Sequence, residues 1–179
     1  ATGSDISITG ENNNEGFGYA LTIGDLNADG RDDLAVGAVG YPVGSSDGRV
    51  YIFYNDGTYP AIASLADITI TGDSEGLGSN LITGDFNNNG KDDLVIKNQP
   101  TPNISKIYFY ETRDNYSWEL QPNLKGDSFR ILNHGGAELK ITGEGTSNYF
   151  GVKSVVGDLN ADGKDDLVVG ARFYNTGQG

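Results

Sequence analysis

The sequence predicts an all-β protein in which a four-stranded unit is repeated about three times. The first observation is internal similarity, because residues 16–38, 76–98 and 149–171 share one pattern that recurs at intervals of 60 and 73 residues. The second is that β-branched and aromatic residues fall between Gly, Asn and Asp turns, which is typical of short strands. The third is that no stretch of a dozen residues has the 3.6-residue apolar period and caps of a helix.

The first repeat defines the unit. A Phe-Gly dipeptide opens strand one, a polar Asn/Asp/Gly turn separates it from strand two, and strand three follows the turn SSDG at 45–48. Strand four belongs to a short element that recurs as DISITG, DITITG and ELKITG before each copy of the long motif. The predicted strands lie at about 17–24, 33–38, 49–54 and 67–71.

Units of four antiparallel strands are typical of propeller blades, which cannot bury both faces alone. We expect one repeat region over 1–179, with blades at about 11–72, 73–143 and 144–179 and an insertion at 112–136. The third blade is expected to stop after its second strand, and a solitary strand at 5–10 precedes the first blade. The chain also lacks an initiating Met, which favours a processed product or an excised segment.

Composition excludes several classes of protein. With 25 acidic and 12 basic side chains the net charge is −13, so nucleic acid and anionic membrane surfaces would repel the chain. The absence of Cys excludes disulfides, thiolate metal sites and a cysteine nucleophile. No apolar run approaches the roughly 20 residues that cross a bilayer. Membrane insertion is therefore not expected.

The turn between strands one and two carries the pattern D-x-N-x-[DN]-G-x-x-D in every repeat. This spacing gives the same geometry as the first half of an EF-hand loop, with oxygen side chains at positions 1, 3 and 5, a turn glycine at 6 and an inward carbonyl at 7. Hard oxygen ligands of this kind select Ca²⁺. Position 12, which is Glu in an EF-hand, is apolar in all three copies, so the carboxylate at position 9 is expected to close the site. The assigned ligands, with position 7 acting through its carbonyl, are Asp25, Asn27, Asp29, Arg31 and Asp33; Asp85, Asn87, Asn89, Lys91 and Asp93; and Asp158, Asn160, Asp162, Lys164 and Asp166.

The alternative interpretation is a set of Asn/Asp/Gly turns that only connect strands. Three copies with matching positions favour calcium, and about three ions are expected. The middle loop has two Asp and two Asn where the others have three Asp and one Asn, so it should bind most weakly. We expect the ions to have a structural rather than a catalytic role. Weak sites of this kind would stay empty in the cytosol and fill outside the cell, so an extracellular location is also expected.

The repeats resemble the FG-GAP repeats of the integrin α-subunit β-propeller. Phe17-Gly18 with Gly37-Ala38, and Phe150-Gly151 with Gly170-Ala171, bracket the first and third loops, whereas Leu77-Gly78 and Lys97-Asn98 make the second copy degenerate. The third GAP residue is Val39 or Arg172 rather than Pro. The resemblance implies calcium-binding blades but is poorly specific for function, because related propellers serve adhesion receptors, lectins and lipase-like proteins.

The lone histidine, the aromatic residues and two glycosylation sequons are weaker indications of function. His134 is the lone histidine, in a loop without an identifiable catalytic partner. Trp118 and nearby tyrosines could stack on sugars, although aromatic residues more often form the blade core. The sequons at Asn103 and Asn115 predict glycosylation if the protein is secreted by a glycosylating cell.

The sequence therefore predicts a non-enzymatic, extracellular or cell-surface module with a structural, adhesive or self-assembling role. Its expected partners are other copies of itself or the rest of a larger propeller, with a glycan or a cell-surface protein as further candidates. Strand 5–10 could complete a neighbour's blade by strand addition and so form a ring or filament. The alternatives are a carbohydrate-binding lectin-like propeller and a non-catalytic accessory domain of a larger surface protein.

Overall fold

The computed structural model describes residues 6–72, 76–98, 106–110, 132–133, 137–138, 140–142 and 150–171. The first blade is an antiparallel meander of four strands with neighbours in chain order. A 3₁₀ turn at Ala63–Leu65 precedes the last strand. The strands are β1 (Phe17–Gly24), β2 (Asp33–Ala38), β3 (Arg49–Phe53) and β4 (Ile68–Thr71).

The second blade repeats this topology, with the sheet order β10-β7-β6-β5. A separate two-residue hairpin, β8–β9, lies between its third and fourth strands. The corresponding part of the third blade forms an antiparallel pair. These strands are β5 (Leu77–Gly84), β6 (Asp93–Asn98), β7 (Lys106–Tyr110), β8 (Leu132–Asn133), β9 (Ala137–Glu138), β10 (Lys140–Thr142), β11 (Phe150–Gly157) and β12 (Asp166–Ala171).

The predicted all-β class and the four-stranded antiparallel blades are confirmed. Among the described residues, the only helical element is the 3₁₀ turn before β4. The described part of the third repeat has two strands, and residues 172–179 lie outside the described ranges. In those ranges no helix has the length and apolar character needed to cross a membrane.

The first strands of successive blades lie side by side, so β5 packs between β1 and β11. Thr22 and Thr83 share a 3.1 Å hydroxyl hydrogen bond across the first junction. At the second junction the Asn80 amide donates to the Ser154 hydroxyl at 3.1 Å. The second blade's first strand, β5, therefore has one face toward the first blade and the other toward the third, as the alternation of side chains along a strand requires.

The main core lies between the first two blades. Cross-strand partners share a face, so Ala35 and Ile52 point toward the second blade while Val36 and Tyr51 point away from it. A second apolar cluster covers that outer face, and Phe17 meets Tyr51 edge-on at 5.4 Å between ring centroids. The buried residues of the main core are Leu26, Ala35, Val50, Ile52, Ile68, Ile70, Leu77, Leu81, Leu94 and Ile96.

The predicted solitary strand at 5–10 is wrong for its described part, residues 6–10. Only Thr9 forms a bridge, which is parallel and pairs with Ile62 of the same chain. The Thr9 amide donates to the Ala61 carbonyl at 2.9 Å, and Thr9 accepts from the Ala63 amide at 2.8 Å. Ile8 also packs into the outer cluster of the first blade. The segment is held by its own blade, so it is not a free strand for a neighbour.

Candidate metal centres

All three candidate loops occupy the turn between the first and second strands of a blade. They share one backbone conformation, with left-handed residues at positions 4 and 6. Position 6 is Gly, which takes this conformation without steric cost, but position 4 is Ala or Asn. The φ angles are 65°, 57° and 61° for Ala28, Asn88 and Ala161, and 83°, 80° and 84° for Gly30, Gly90 and Gly163.

The aspartate at position 1 folds back over its own loop. Both Asp25 oxygens accept backbone hydrogen bonds, Oδ1 from Asp29 at 3.0 Å and Oδ2 from Gly30 at 2.9 Å. Asp85 and Asp158 make the same pair of bonds, at 2.8–3.1 Å. The position-1 aspartate thus makes the same two hydrogen bonds in all three loops, so the repeated sequence specifies the loop conformation as well as the strands.

Positions 3 and 5 continue the same arrangement. The Asn27 amide oxygen accepts from the backbone amide of Asp29 at 2.9 Å, and Asp29 Oδ1 accepts from that of Arg31 at 3.0 Å. Both bonds recur at 2.9–3.0 Å in the second and third loops. Side-chain oxygens from positions 1, 3 and 5 therefore follow one another around the turn.

The aspartate at position 9 closes the first loop. Asp33 Oδ2 accepts from the backbone amides of Leu26 and Asn27, both at 3.1 Å, and its Oδ1 accepts from Asn55 at 2.8 Å. Asp166 accepts in the same way from Leu159 at 2.9 Å. Asp33 is fully buried, and this burial raises the pKa of its carboxyl above the ordinary value.

The first loop contains an ion pair that sequence reasoning missed. The Arg31 guanidinium lies 2.9 Å from Asp29 Oδ2, so the position-7 side chain faces the position-5 carboxylate. Hydrogen bonding from Arg31 is the main cause that lowers the pKa of Asp29. The sequence signal was the i, i+2 spacing of opposite charges across the turn glycine.

Position 8 was also missed, and it joins one loop to the next. Asp92 Oδ2 accepts from the backbone amide of Asp25 at 2.9 Å, and the Asp92 amide donates to the Asp25 carbonyl at 3.3 Å. Asp165 repeats both contacts with Asp85, each at 3.0 Å. A carboxylate from each following blade thus holds the first residue of the preceding loop. The signal was an aspartate at position 8 in every copy.

The donor set of each loop fits a hard cation, since it consists of carboxylate, amide and carbonyl oxygens without sulfur or imidazole. In the described part of the chain, no three acidic, His or Cys side chains form a ready-made cage. Backbone amides instead bind the carboxylates, and position 3 is always Asn. A cation bound here would be coordinated by the Asn side-chain oxygen and the position-7 carbonyl as well as by the carboxylates. Its positive charge would offset the negative charge of the turn.

Several sequence-predicted residues lie outside the described ranges. These are the glycosylation candidates Asn103 and Asn115, together with His134 and Trp118. Tyr110 is one of the tyrosines near Trp118 that could have stacked on sugars. It is partly buried and packs against the main core. For Tyr110 the structure favours the core interpretation over an exposed sugar platform.

These strands, their stacking and the oxygen-rich loops between them define a protein built of repeated propeller blades. The family model for the FG-GAP repeat matches residues 17–53 and 150–179. Those ranges contain the first and third loops. The second loop lies outside them, in agreement with the degenerate motif residues Leu77-Gly78 and Lys97-Asn98 on either side of it. The chain therefore carries FG-GAP repeats, and over most of its length it is homologous to integrin α subunits.

Named relatives fall into two groups. The chain is 32% identical over 166 residues to bovine phosphatidylinositol-glycan-specific phospholipase D. This match covers 88% of the chain and 19% of the relative. It is 28% identical to human integrin alpha-7 over 173 residues, 93% of the chain and 13% of the relative. For chicken integrin alpha-6 the identity is 32%, over 90% of the chain and 14% of the relative. The chain thus spans a fifth or less of these relatives' lengths.

Proposed function

We propose that this chain is an extracellular calcium-binding propeller module whose ions have a structural role in an adhesive or self-assembling surface protein. The observation that carries the proposal is the shared conformation of the three loops. In each one the position-1 carboxylate caps the backbone of positions 5 and 6, and the oxygens at positions 3 and 5 follow in the same order. One ion in each loop would offset charge in a protein of net charge −13.

The stacking of the blades explains why calcium would stabilise more than a single turn. Asp92 and Asp165 bind the first residues of the preceding loops, so each loop is part of a junction between blades. Fixing Asp25 or Asp85 on an ion therefore also fixes the backbone to which the next blade is bonded. Each site held at ten times its dissociation constant would add about 1.4 kcal/mol to the free energy of unfolding.

Calorimetric titration and thermal denaturation test the proposal. We expect about three calcium ions per chain, a higher melting temperature with calcium than with EGTA, and a much smaller effect of Mg²⁺, which dehydrates reluctantly. Substitution of Asp25→Asn, Asp85→Asn or Asp158→Asn should each remove or weaken one site. Among the three loops, the one with Asn89 at position 5 should have the lowest affinity.

Asp56→Asn is the matched control, because Asp56 caps an exposed turn by accepting from the Thr58 amide at 2.9 Å but lies outside the repeated loops. Calcium stoichiometry should be unchanged in this variant. A wild-type chain that binds no calcium at millimolar concentration, or binds equally well after all three loop substitutions, would contradict the proposal.

A second candidate is a non-catalytic accessory module of a larger enzyme. It is favoured by the 32% identity over 88% of this chain to a protein named as a phospholipase D. That activity is the relative's, and we propose that this chain is not itself an enzyme. A lectin-like role is the remaining alternative, and binding to a glycan array would favour it.

A further inference from the structure

The second loop contains the one Asn-Gly sequence of the chain, Asn89-Gly90. In such a sequence the backbone nitrogen of the glycine can attack the side-chain amide of the asparagine, because the glycine has no side chain to obstruct it. The first and third loops have Asp-Gly at the same two positions. The asparagine is thus the chemical precursor of the residue that the other two loops carry.

The loop presents the two reacting groups to each other and to water. Asn89 and Gly90 are both exposed, and no described atom lies within 4 Å of a Cβ atom added at Gly90. The Asn89 Oδ1 atom accepts from the Lys91 amide at 2.9 Å, which folds the asparagine side chain back over the Gly90 peptide. The Gly90 nitrogen donates to Asp85 Oδ2 at 2.8 Å, so a carboxylate already holds the hydrogen that this nitrogen must lose.

We propose that Asn89 is a site of spontaneous deamidation and that a calcium ion in the second loop suppresses the reaction. The Gly90 nitrogen bonds to the Asn89 Cγ atom, the Cγ–Nδ2 bond breaks, and ammonia leaves with the proton that the Gly90 nitrogen loses. Water then opens the resulting five-membered imide at either of its carbonyl groups and returns a proton to the nitrogen. One water is consumed, one ammonia is released, and nothing is oxidised or reduced.

The two products have opposite effects on the loop. Opening at the former side-chain carbonyl gives aspartate, which reproduces the ligand pattern of the first and third loops and adds a carboxylate for the ion. Opening at the main-chain carbonyl gives isoaspartate, which adds one methylene to the backbone before Gly90. That extra group separates the Gly90 amide from Asp85, so the isoaspartate loop should bind calcium less well than the natural loop.

Calcium should oppose the reaction because ring closure changes the loop. The Asn89 oxygen must leave the Lys91 amide as its Cγ atom bonds to nitrogen, and the Asp85 carboxylate must be available to the Gly90 hydrogen. A cation coordinated by the Asp85 and Asn89 oxygens would hold both groups in place. This half of the inference rests on the proposed function, whereas deamidation of the calcium-free loop does not.

Peptide mapping by mass spectrometry tests the site on the natural chain, incubated with EGTA at physiological temperature and mildly alkaline pH. Asn160 is the matched internal control. It is exposed in the third loop, and its Oδ1 atom accepts from the amide two residues further on at 2.9 Å, as that of Asn89 does, but Ala161 follows it. We expect conversion at Asn89 to be at least about tenfold faster, which corresponds to a barrier lower by about 1.4 kcal/mol. Conversion that is no faster at Asn89 than at Asn160 overturns the inference.

The same incubation is repeated with calcium at ten times the dissociation constant of the second loop. If only the empty loop reacts, the rate at Asn89 should fall about tenfold, since about one loop in eleven stays empty. A rate that is unchanged or faster while calorimetry shows the loop occupied overturns the suppression. A chain that binds no calcium contradicts the proposed function instead, and the rate in EGTA still decides the deamidation site. The two failures are thus distinguishable.

Asn89→Asp tests the effect of the aspartate product and gives a chain in which position 89 cannot lose ammonia. The first and third loops are disabled by Asp25→Asn and Asp158→Asn, so that calorimetric titration reports the second loop alone. We expect Asn89→Asp to raise its calcium affinity about tenfold, because a carboxylate charge is added beside a divalent ion. Equal affinities with Asn and Asp at this position would overturn the assigned effect of the product.

Discussion

Gly37 and Gly78 touch across the junction between the first two blades because neither carries a side chain. A Cβ atom added at Gly37 would overlap the Gly78 carbonyl oxygen and lie 3.3 Å from the Gly78 Cα. Gly78 itself has a φ of 89°, which favours glycine. Gly37, the glycine of the GAP element, thus permits the close approach of the two blades at this point.

Gly37→Ala should therefore destabilise the chain by about 1–3 kcal/mol, the usual range for overpacking in a close-packed interior. The melting temperature in thermal denaturation measures the effect. Gly170→Ala is the matched control at the same position of the third blade, where the nearest atom lies 3.4 Å from the added Cβ. Equal stability losses for the two variants would contradict this explanation.

Asp92→Ala should also destabilise the fold. It leaves the part-buried Asp25 amide without its acceptor, at a cost of about 1–3 kcal/mol. Urea denaturation of the monomer at low concentration measures the loss. Asp32→Ala removes the equivalent but exposed aspartate and should leave monomer stability nearly unchanged. If both variants lose stability alike, the hydrogen bond between loops is not the cause.

Arg31→Gln should tighten calcium binding by the first loop. The Arg31 guanidinium competes with a cation for Asp29, and exposed pairs of this kind are weak, so we expect a gain of about two- to fivefold in affinity. Calorimetric titration resolves it best with the second and third loops disabled by Asp85→Asn and Asp158→Asn. An unchanged or weaker affinity would mean that the ion pair does not oppose the ion.

Lys97 gives a prediction about pH. Its side chain is buried in β6, and desolvation lowers the pKa of its ammonium below the ordinary value. The unfolded chain therefore binds more protons near the folded pKa, so stability contributed by this residue rises with pH up to the ordinary pKa of about 10.4.

Lys97→Met should accordingly melt at a higher temperature than the natural chain at pH 7, and the difference should shrink toward pH 10. Melting curves across this range measure it. Lys153→Met, at an exposed position of β11, is the control and should show no such convergence. A difference that stays constant with pH would assign the effect to packing instead of charge.

The strands and loops were predictable because their signals are local. The predicted strands 17–24 and 33–38 match β1 and β2 residue for residue, since a Phe-Gly start and an Asn/Asp/Gly turn bound them. The charge spacing of Arg31 and the repeated aspartate at position 8 are visible in the sequence, but the contacts of Arg31 and Asp92 are not. The first depends on the rotamer of an exposed side chain, and the second on which atoms of another blade meet the loop.

The strand predicted at 5–10, which does not form over the described residues 6–10, shows the same limit. Its sequence DISITG resembles DITITG, which does form β4. Pairing of a strand requires a free edge in the right place, however, and β4 already occupies the edge beside β3. Residues 8–10 meet the 61–63 segment instead, so an equal local propensity gives a different structure.

The sequence by itself determined the class of fold, the repeat unit and the oxygen-rich loops, because period, turn residues and ligand spacing are encoded within a few neighbouring positions. Only the tertiary structure decided which face of each blade is covered. Burial of Leu26 or Leu81 depends on a neighbour some 60 residues away, whereas Leu159 and Leu21, at the equivalent loop and strand positions, are exposed. The same local sequence, DLNADG in the first and third loops, therefore leads to different degrees of burial.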